Sequence, residues 1–196
     1  MITKLDQMID ALKGKSKKRL VAAYANDNHT IEAVNNATEL GIIEPILVGD
    51  EETIKQVCKE ENIDVSKFKI VQENDPARAS VKAVEIINAG EADVLMKGLV
   101  STDKYMRAIL DKEKGLLPPK AVLSHITVVE TPSYPKLLIV SDVAILPAPD
   151  LKQKIAITNY VINTAHALGN ENPKVALIAA TEQMSAGMQA CVDAAI

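Results

Sequence analysis

Apolar and polar positions alternate in blocks along the 196-residue chain. Leu5, Met8, Ile9 and Leu12 recur at helical spacing, and Gly14 ends that first helix. Residues 19–25 (RLVAAYA) form an apolar run of strand length. A helical stretch at 30–40 stops at Gly41, and a second strand follows at 42–48, with Pro45 near its start where a missing donor is tolerable. Asp50, Glu51 and Glu52 put acids in the first turn of a helix ending near Asn62, which suits its dipole. Residues 67–71 read as a third strand. Asp75 and Pro76 read as an N-cap and a proline at the first helical position of a helix that runs to Asn88. A fourth strand at 93–97 and a helix at 101–112 complete the series. Strands and helices alternating at this pitch predict parallel pairing with crossover helices, an α/β fold.

The texture changes at GLLPP, residues 115–119, where paired prolines cannot continue a helix. This sets an expected boundary between a first α/β lobe, 1–118, and a second, 119–196. Beyond it, β-rich runs at 122–130 and 136–140 flank TPSYP, which predicts an antiparallel hairpin. A helix at 150–168 closed by Gly169, a strand at 174–179 and a small-residue helix from Ser185 follow. That last helix stops at VDAAI, apolar and uncapped, so the chain is expected to be cut off inside it.

Composition narrows the function. The hydrophobic share of 47% and charged share of 24% are those of an ordinary globular protein. With no apolar run of membrane-spanning length and no basic-then-apolar leader, a cytoplasmic protein without a membrane partner is expected. Only 3% of residues are aromatic and the net charge is −4, which argues against nucleic acid as a partner. Cys58 and Cys191 lack metal or redox spacing. The chain has 19 Lys and only 3 Arg, so bidentate phosphate grips are scarce.

The dinucleotide and triphosphate glycine loops, the zinc-protease motif and the esterase elbow are all absent. His29, His125 and His166 are too scattered to suggest a metal site. Chemistry then falls to polar clusters at the ends of predicted strands. Lys97, Gly98, Ser101 and Thr102 lie where a strand delivers the chain to a helix N-terminus, a place that attracts anions, with Arg107 on the same helix. The hydroxyls there serve equally as helix caps. Ser124 and His125 sit in the first β-run of the second segment, where a histidine is either a satisfied strand residue or a catalyst. Ser141 and Asp142 end the next strand, at the mouth of a proline-braced loop, with Asp150 read as a cap. Thr181 and Glu182 are a fourth strand-end pair, or a cap. Together these read as a two-lobed α/β enzyme for an anionic small molecule.

The run MKGLVSTDKYMRAIL resembles the phosphate acetyl/butyryltransferase family, and LSHITVVE, LLIVSDVAILPAPDL and ALIAATEQ continue the likeness. The SDxAIxxxPDL pattern is similar to the butyryl branch. The resemblance implies acyl transfer between coenzyme A and inorganic phosphate, with butyryl-CoA, CoA and phosphate as partners. It implies no metal and no redox cofactor, CoA being a substrate. The implied fold is two-lobed α/β/α, similar to isocitrate and isopropylmalate dehydrogenases, incomplete at the C-terminus, with a cleft between lobes. Carried across, Lys97, Gly98, Ser101 and Thr102 line the phosphate side with Arg107 a weaker contributor. Asp142, His125 and Ser124 are the catalytic group, with Ser141, Thr181 and Glu182 nearby. A homodimer is implied as well. The family's DGPxxxD, GDAD and AGN segments fall downstream of the stretch matched here, so little transferase activity is expected from these 196 residues. Alternatives are the acetyl branch, a metal-dependent hydroxy-acid dehydrogenase of related fold, and a non-catalytic binder of CoA or phosphate metabolites.

Overall fold

The structure is a computed structural model that describes residues 1–196. In chain order its elements are α1 (Leu5–Asp10), β1 (Lys18–Ala23), α2 (Asn28–Glu39), β2 (Ile43–Gly49) and α3 (Glu51–Glu60). A short 3-10 turn (Val65–Lys67) precedes β3 (Lys69–Gln72), α4 (Pro76–Asn88), β4 (Val94–Lys97) and α5 (Thr102–Ile109). Then come β5 (Thr127–Thr131), β6 (Tyr134–Val140), α6 (Leu151–Ala167) and α7 (Gln189–Ala194). The chain forms two compact units, a core unit of Leu12–Pro119 and a hairpin unit of Met1–Ala11 with Lys120–Ile196. The first eleven residues, read from sequence as part of the first lobe, thus lie in the hairpin unit. Ile2 donates its N–H to Leu168 O at 2.8 Å, and Leu5 its N–H to Glu130 Oε2 at 2.8 Å.

The core unit carries a four-stranded sheet of order β3-β2-β1-β4, parallel at every pairing. Parallel strands covered by helices on both faces read as unbroken apolar runs, and in β2 every residue from Pro45 to Gly49 is buried. Ala22 and Leu47 point to one face, against Ile31 and Val34 of α2 and Ile54 of α3. Val21, Ala23, Ile46 and Val48 point to the other, against Ala79 and Ala83 of α4. Pro45 lies one residue before β3 begins to pair at Ile46, so its missing N–H interrupts no β2–β3 ladder. Aspartates start three helices. Asp27 accepts from Thr30 N at 2.9 Å, Asp50 from Thr53 N at 3.1 Å, and Asp75 from Arg78 N at 2.8 Å. Arg19 Nε and Nη2 grip Asp93 at 3.1 and 2.6 Å, stitching the start of β1 to the residue before β4. That fork holds the Asp93 carboxyl well below the usual carboxylate range.

The hairpin unit is thinner. β5 and β6 pair antiparallel, from Thr127↔Val140 to Thr131↔Tyr134 with an irregularity after Val129. α6 opens on a capping box, Asp150 accepting from Gln153 N and Gln153 Oε1 accepting from Asp150 N, both at 2.8 Å. Asp193 of α7, 6% exposed, takes Lys154 Nζ at 2.5 Å and Gln189 Nε2 at 2.7 Å, which ties α7 to α6. Ile157, Ala165, Cys191 and Asp193 are the only buried residues of this unit.

Two expected strands differ. Residues 174–179 form no strand, because no neighbouring strand offers them a ladder, and Ile178 is 85% exposed. The β-run expected at 122–130 becomes a strand only at Thr127, since its partner β6 ends opposite that residue at Val140. Cys58 and Cys191 are free and buried, and burial pushes the Cys58 thiol up. No helix is long and apolar enough to cross a membrane.

Candidate functional site

In the core unit the connections run outward from β1 to β2 and β3, then return to place β4 on the other side of β1. Ligands of open α/β sheets bind beyond the carboxyl ends of strands where the order reverses, here between β1 and β4. The chain past β4 is sewn to the chain past β1, with Gly98 N donating to Ala23 O at 3.0 Å and Leu99 N to Tyr24 O at 2.8 Å. A Cβ on Gly98 would stand 2.5 Å from Tyr24 O and 2.8 Å from Ala23 O, so only glycine allows this approach.

Ser101 caps α5 through a long contact, its Oγ accepting from Lys104 N at 3.4 Å. It is a neutral cap, unlike the carboxylates at α2, α3 and α4. Ser101, Thr102 and Lys97 are exposed around this helix start, which presents unsatisfied N–H groups to an anion. Arg107 does not join them. It sits in the last turn of α5, pairs with Asp103 at 3.1 Å, and lines a cavity of about 420 Å³ with Val81, Val84 and Lys104. Arg19 is committed to Asp93 and to Gly90 O. Sequence reasoning missed the loop after β1. Tyr24 there takes a φ of 59°, and Asn26 Oδ1 accepts from Asp50 N at 3.0 Å, joining the loops after β1 and β2. The polar pair Asn26 and Asp27 behind an apolar strand was the available signal.

In the hairpin unit the register of β5 and β6 explains a second cluster. Continuing it past Thr127↔Val140 sets His125 opposite Asp142, two residues beyond the last ladder pair. Side chains there replace the ladder. Ser141 Oγ donates to His125 O at 2.6 Å, and His125 N donates to Asp142 Oδ2 at 3.2 Å. Ser124 Oγ lies 3.1 Å from Ser141 Oγ. Asp142 Oδ1 accepts from Ala144 N and Ile145 N, both at 2.8 Å, which turns the following loop. Desolvation works to raise the Asp142 carboxyl, but the N–H groups of Ile145, Ala144 and His125 with the Ser124 hydroxyl outweigh it and hold it at about 2. Thr127 Oγ1 lies 3.3 Å from His125 Nδ1.

Ser124, His125, Ser141 and Asp142 therefore meet in space. Thr181 and Glu182 share no hydrogen bond with them. Both are exposed, and Thr181 Oγ1 accepts from Gln183 N at 3.2 Å, a local turn contact. No three His, Cys, Asp or Glu side chains converge as metal ligands.

A sequence model of the family described as "Phosphate acetyl/butaryl transferase" matches residues 4–79 and 76–195. The phosphate butyryltransferase of Clostridium acetobutylicum is 42% identical over 196 residues, covering 100% of this chain and 65% of that protein. The phosphate acetyltransferase of Thermotoga maritima is 38% identical over 192 residues, 98% of this chain and 64% of that one. Among solved structures, a branched-chain phosphotransacylase from Enterococcus faecalis superposes with a TM-score of 0.74 at 26% identity, over 91% of this chain and 62% of that chain. The chain thus spans just under two-thirds of the length of these relatives. With a mixed α/β fold, a parallel sheet and a family match along nearly its whole length, the chain belongs to the phosphate acetyl/butyryl transferase family.

Proposed function

We propose that this chain serves acyl transfer between coenzyme A and inorganic phosphate, with butyryl the favoured acyl group. The family match over residues 4–195 carries the reading, and the 42% identity to a phosphate butyryltransferase favours butyryl over acetyl. In the forward direction a phosphate oxygen attacks the thioester carbonyl. A C–O bond forms, the C–S bond breaks, and the CoA thiolate leaves and takes up a proton. Phosphate and thiolate are both anionic, so the reaction calls for oriented donors and positioned reactants. The exposed start of α5, with Ser101, Thr102 and Lys97, suits the phosphate. The cluster of Ser124, His125, Ser141 and Asp142 supplies polar groups for the reacting end. Gly98 serves by letting the β4 exit lie against β1.

The reading includes a cytoplasmic setting, the two-lobed architecture of the isocitrate and isopropylmalate dehydrogenases, and a homo-oligomer. Fifteen of the twenty-one large exposed hydrophobics lie in the hairpin unit, which supports a partner surface. Size exclusion at two concentrations tests that part.

Butyryl-CoA and phosphate are mixed with the protein while free thiol is followed, and thermal stability is measured with each substrate alone. Thiol release that requires both substrates, even if slow, supports transfer, and a faster rate than with acetyl-CoA supports the butyryl preference. Stabilisation by CoA without product assigns the chain a binding role. The absence of both stabilisation and thiol release overturns the proposal.

A further inference from the structure

Neighbouring acceptors constrain the serine protons of the hairpin-end cluster. Ser141 Oγ lies 2.6 Å from His125 O, which can only accept, so the Ser141 proton goes there. Toward Ser124 Oγ, 3.1 Å away, Ser141 Oγ can then only accept. Ser124 has one proton, and its two neighbours, Ser141 Oγ and the Asp142 carboxylate, are both acceptors. Asp142 is occupied by three backbone N–H groups besides. An incoming phosphoryl oxygen is itself an acceptor. Neither serine can meet it without breaking a bond already made, and the Asp142 carboxylate would repel it.

His125 is differently placed. Its backbone N–H and C=O are both held, by Asp142 and Ser141. Its Nδ1 faces Thr127 Oγ1 at 3.3 Å, while Nε2 has no hydrogen-bond partner in the protein and is not buried. In the tautomer that carries the ring proton on Nε2, Nδ1 accepts from the Thr127 hydroxyl, which makes no other side-chain hydrogen bond in the protein. That tautomer presents the ring N–H at the unpartnered Nε2, outside the cluster's own network.

We infer that His125 is the substrate-contacting residue of this cluster, donating from Nε2–H to a phosphoryl oxygen of phosphate or an acyl phosphate. Ser124, Ser141 and Asp142 are positioning residues that fix its backbone, and Thr127 sets its tautomer. The identity of the substrate rests on the acyl-transfer reading above, whereas the tautomer does not.

The test is NMR of the full chain with its histidine rings labelled with ¹⁵N, at about pH 8 where an imidazole is neutral. Butyryl phosphate is the main probe and inorganic phosphate the second. His125 is expected with a protonated Nε2 and a bare Nδ1, and Thr127→Val should mix the two tautomers. A ring protonated on Nδ1 overturns the assignment. Saturating butyryl phosphate should shift the Nε2 resonance. His125→Ala should weaken butyryl phosphate binding ~10- to 100-fold, the range for a hydrogen bond to a charged group. His125→Gln, whose amide N–H reaches near the Nε2 position, should restore most of the affinity, and His125→Asn should not. Unchanged affinity in His125→Ala beside normal wild-type binding overturns the inference alone. If wild type binds neither butyryl phosphate nor phosphate nor CoA, the functional reading and the proposed contact fall together, and the tautomer result is judged separately.

Discussion

The two units solve the problem of burial differently. In Leu12–Pro119, helices cover both faces of a parallel sheet, and Val21, Leu47, Ile31 and Ile54 are all 0% exposed. In Met1–Ala11 with Lys120–Ile196, a two-stranded hairpin and a single long helix bury four residues, one of them a charged aspartate. A lone hairpin is marginal in water. The hairpin unit accordingly leans on polar ties, with the Lys154–Asp193 pair, the Asp150 capping box and Asp142 taking the place of apolar contact. A side chain of one type thus does different work in each unit. Aspartates in the core unit cap helices that packing already holds. Asp142 instead holds together a loop that packing leaves loose.

Truncation in the core unit should have the largest effect on stability. Leu47→Ala removes a fully buried side chain from the central strand pair and should cost about 3 kcal/mol in denaturant unfolding. Gly98→Ala should come next, at about 2 kcal/mol, because the new methyl meets the backbone oxygens of Ala23 and Tyr24 rather than a side chain that can yield. The damage should show as lost amide protection along β1 and β4.

Asp142 sharpens the contrast through pH. Its folded carboxyl lies at about 2, below the ordinary 3.8. The stabilisation it gives is fully present above about pH 4 and is lost as pH falls through 2. The amides of His125, Ala144 and Ile145 should lose exchange protection across that window while Val21 and Leu47 keep theirs. Asp142→Asn should lower protection at those three amides throughout and flatten the pH response. Smallest of all, Ile178→Ala should shift stability by no more than about 0.5 kcal/mol, since the side chain is 85% exposed. A large loss there in dilute protein would show that residues 174–179 are covered after all.

Local chemistry and the sense of strand pairing are legible in the chain, and strand order is not. Asp50, Asp75, Ser101 and Asp150 could be read as helix starts because a cap needs only the next three residues. The hairpin at TPSYP was readable for the same reason, and its register then brings Ser124 and His125 to Ser141 and Asp142. Residues 174–179 carry a strand's composition, yet a strand exists only where another offers hydrogen bonds. The β1 exit loop with Tyr24 and Asn26 escaped notice because its place beside Gly98 depends on strand order, which no local pattern encodes. Arg107, the weaker phosphate contributor of the sequence reading, lies in the last turn of α5 with its guanidinium beside Asp103, an i,i+4 pair that charge and helical spacing already imply.

The most direct measurement is a titration of ¹⁵N-labelled protein with butyryl phosphate, following every amide. The expected result is saturable shifts at residues 97–102, 124–127 and 141–145, with Val21 and Leu47 unmoved. Saturable binding whose shifts fall only on the groove between α4 and α5, at Val81, Lys104 and Arg107, would contradict the assignment of the site.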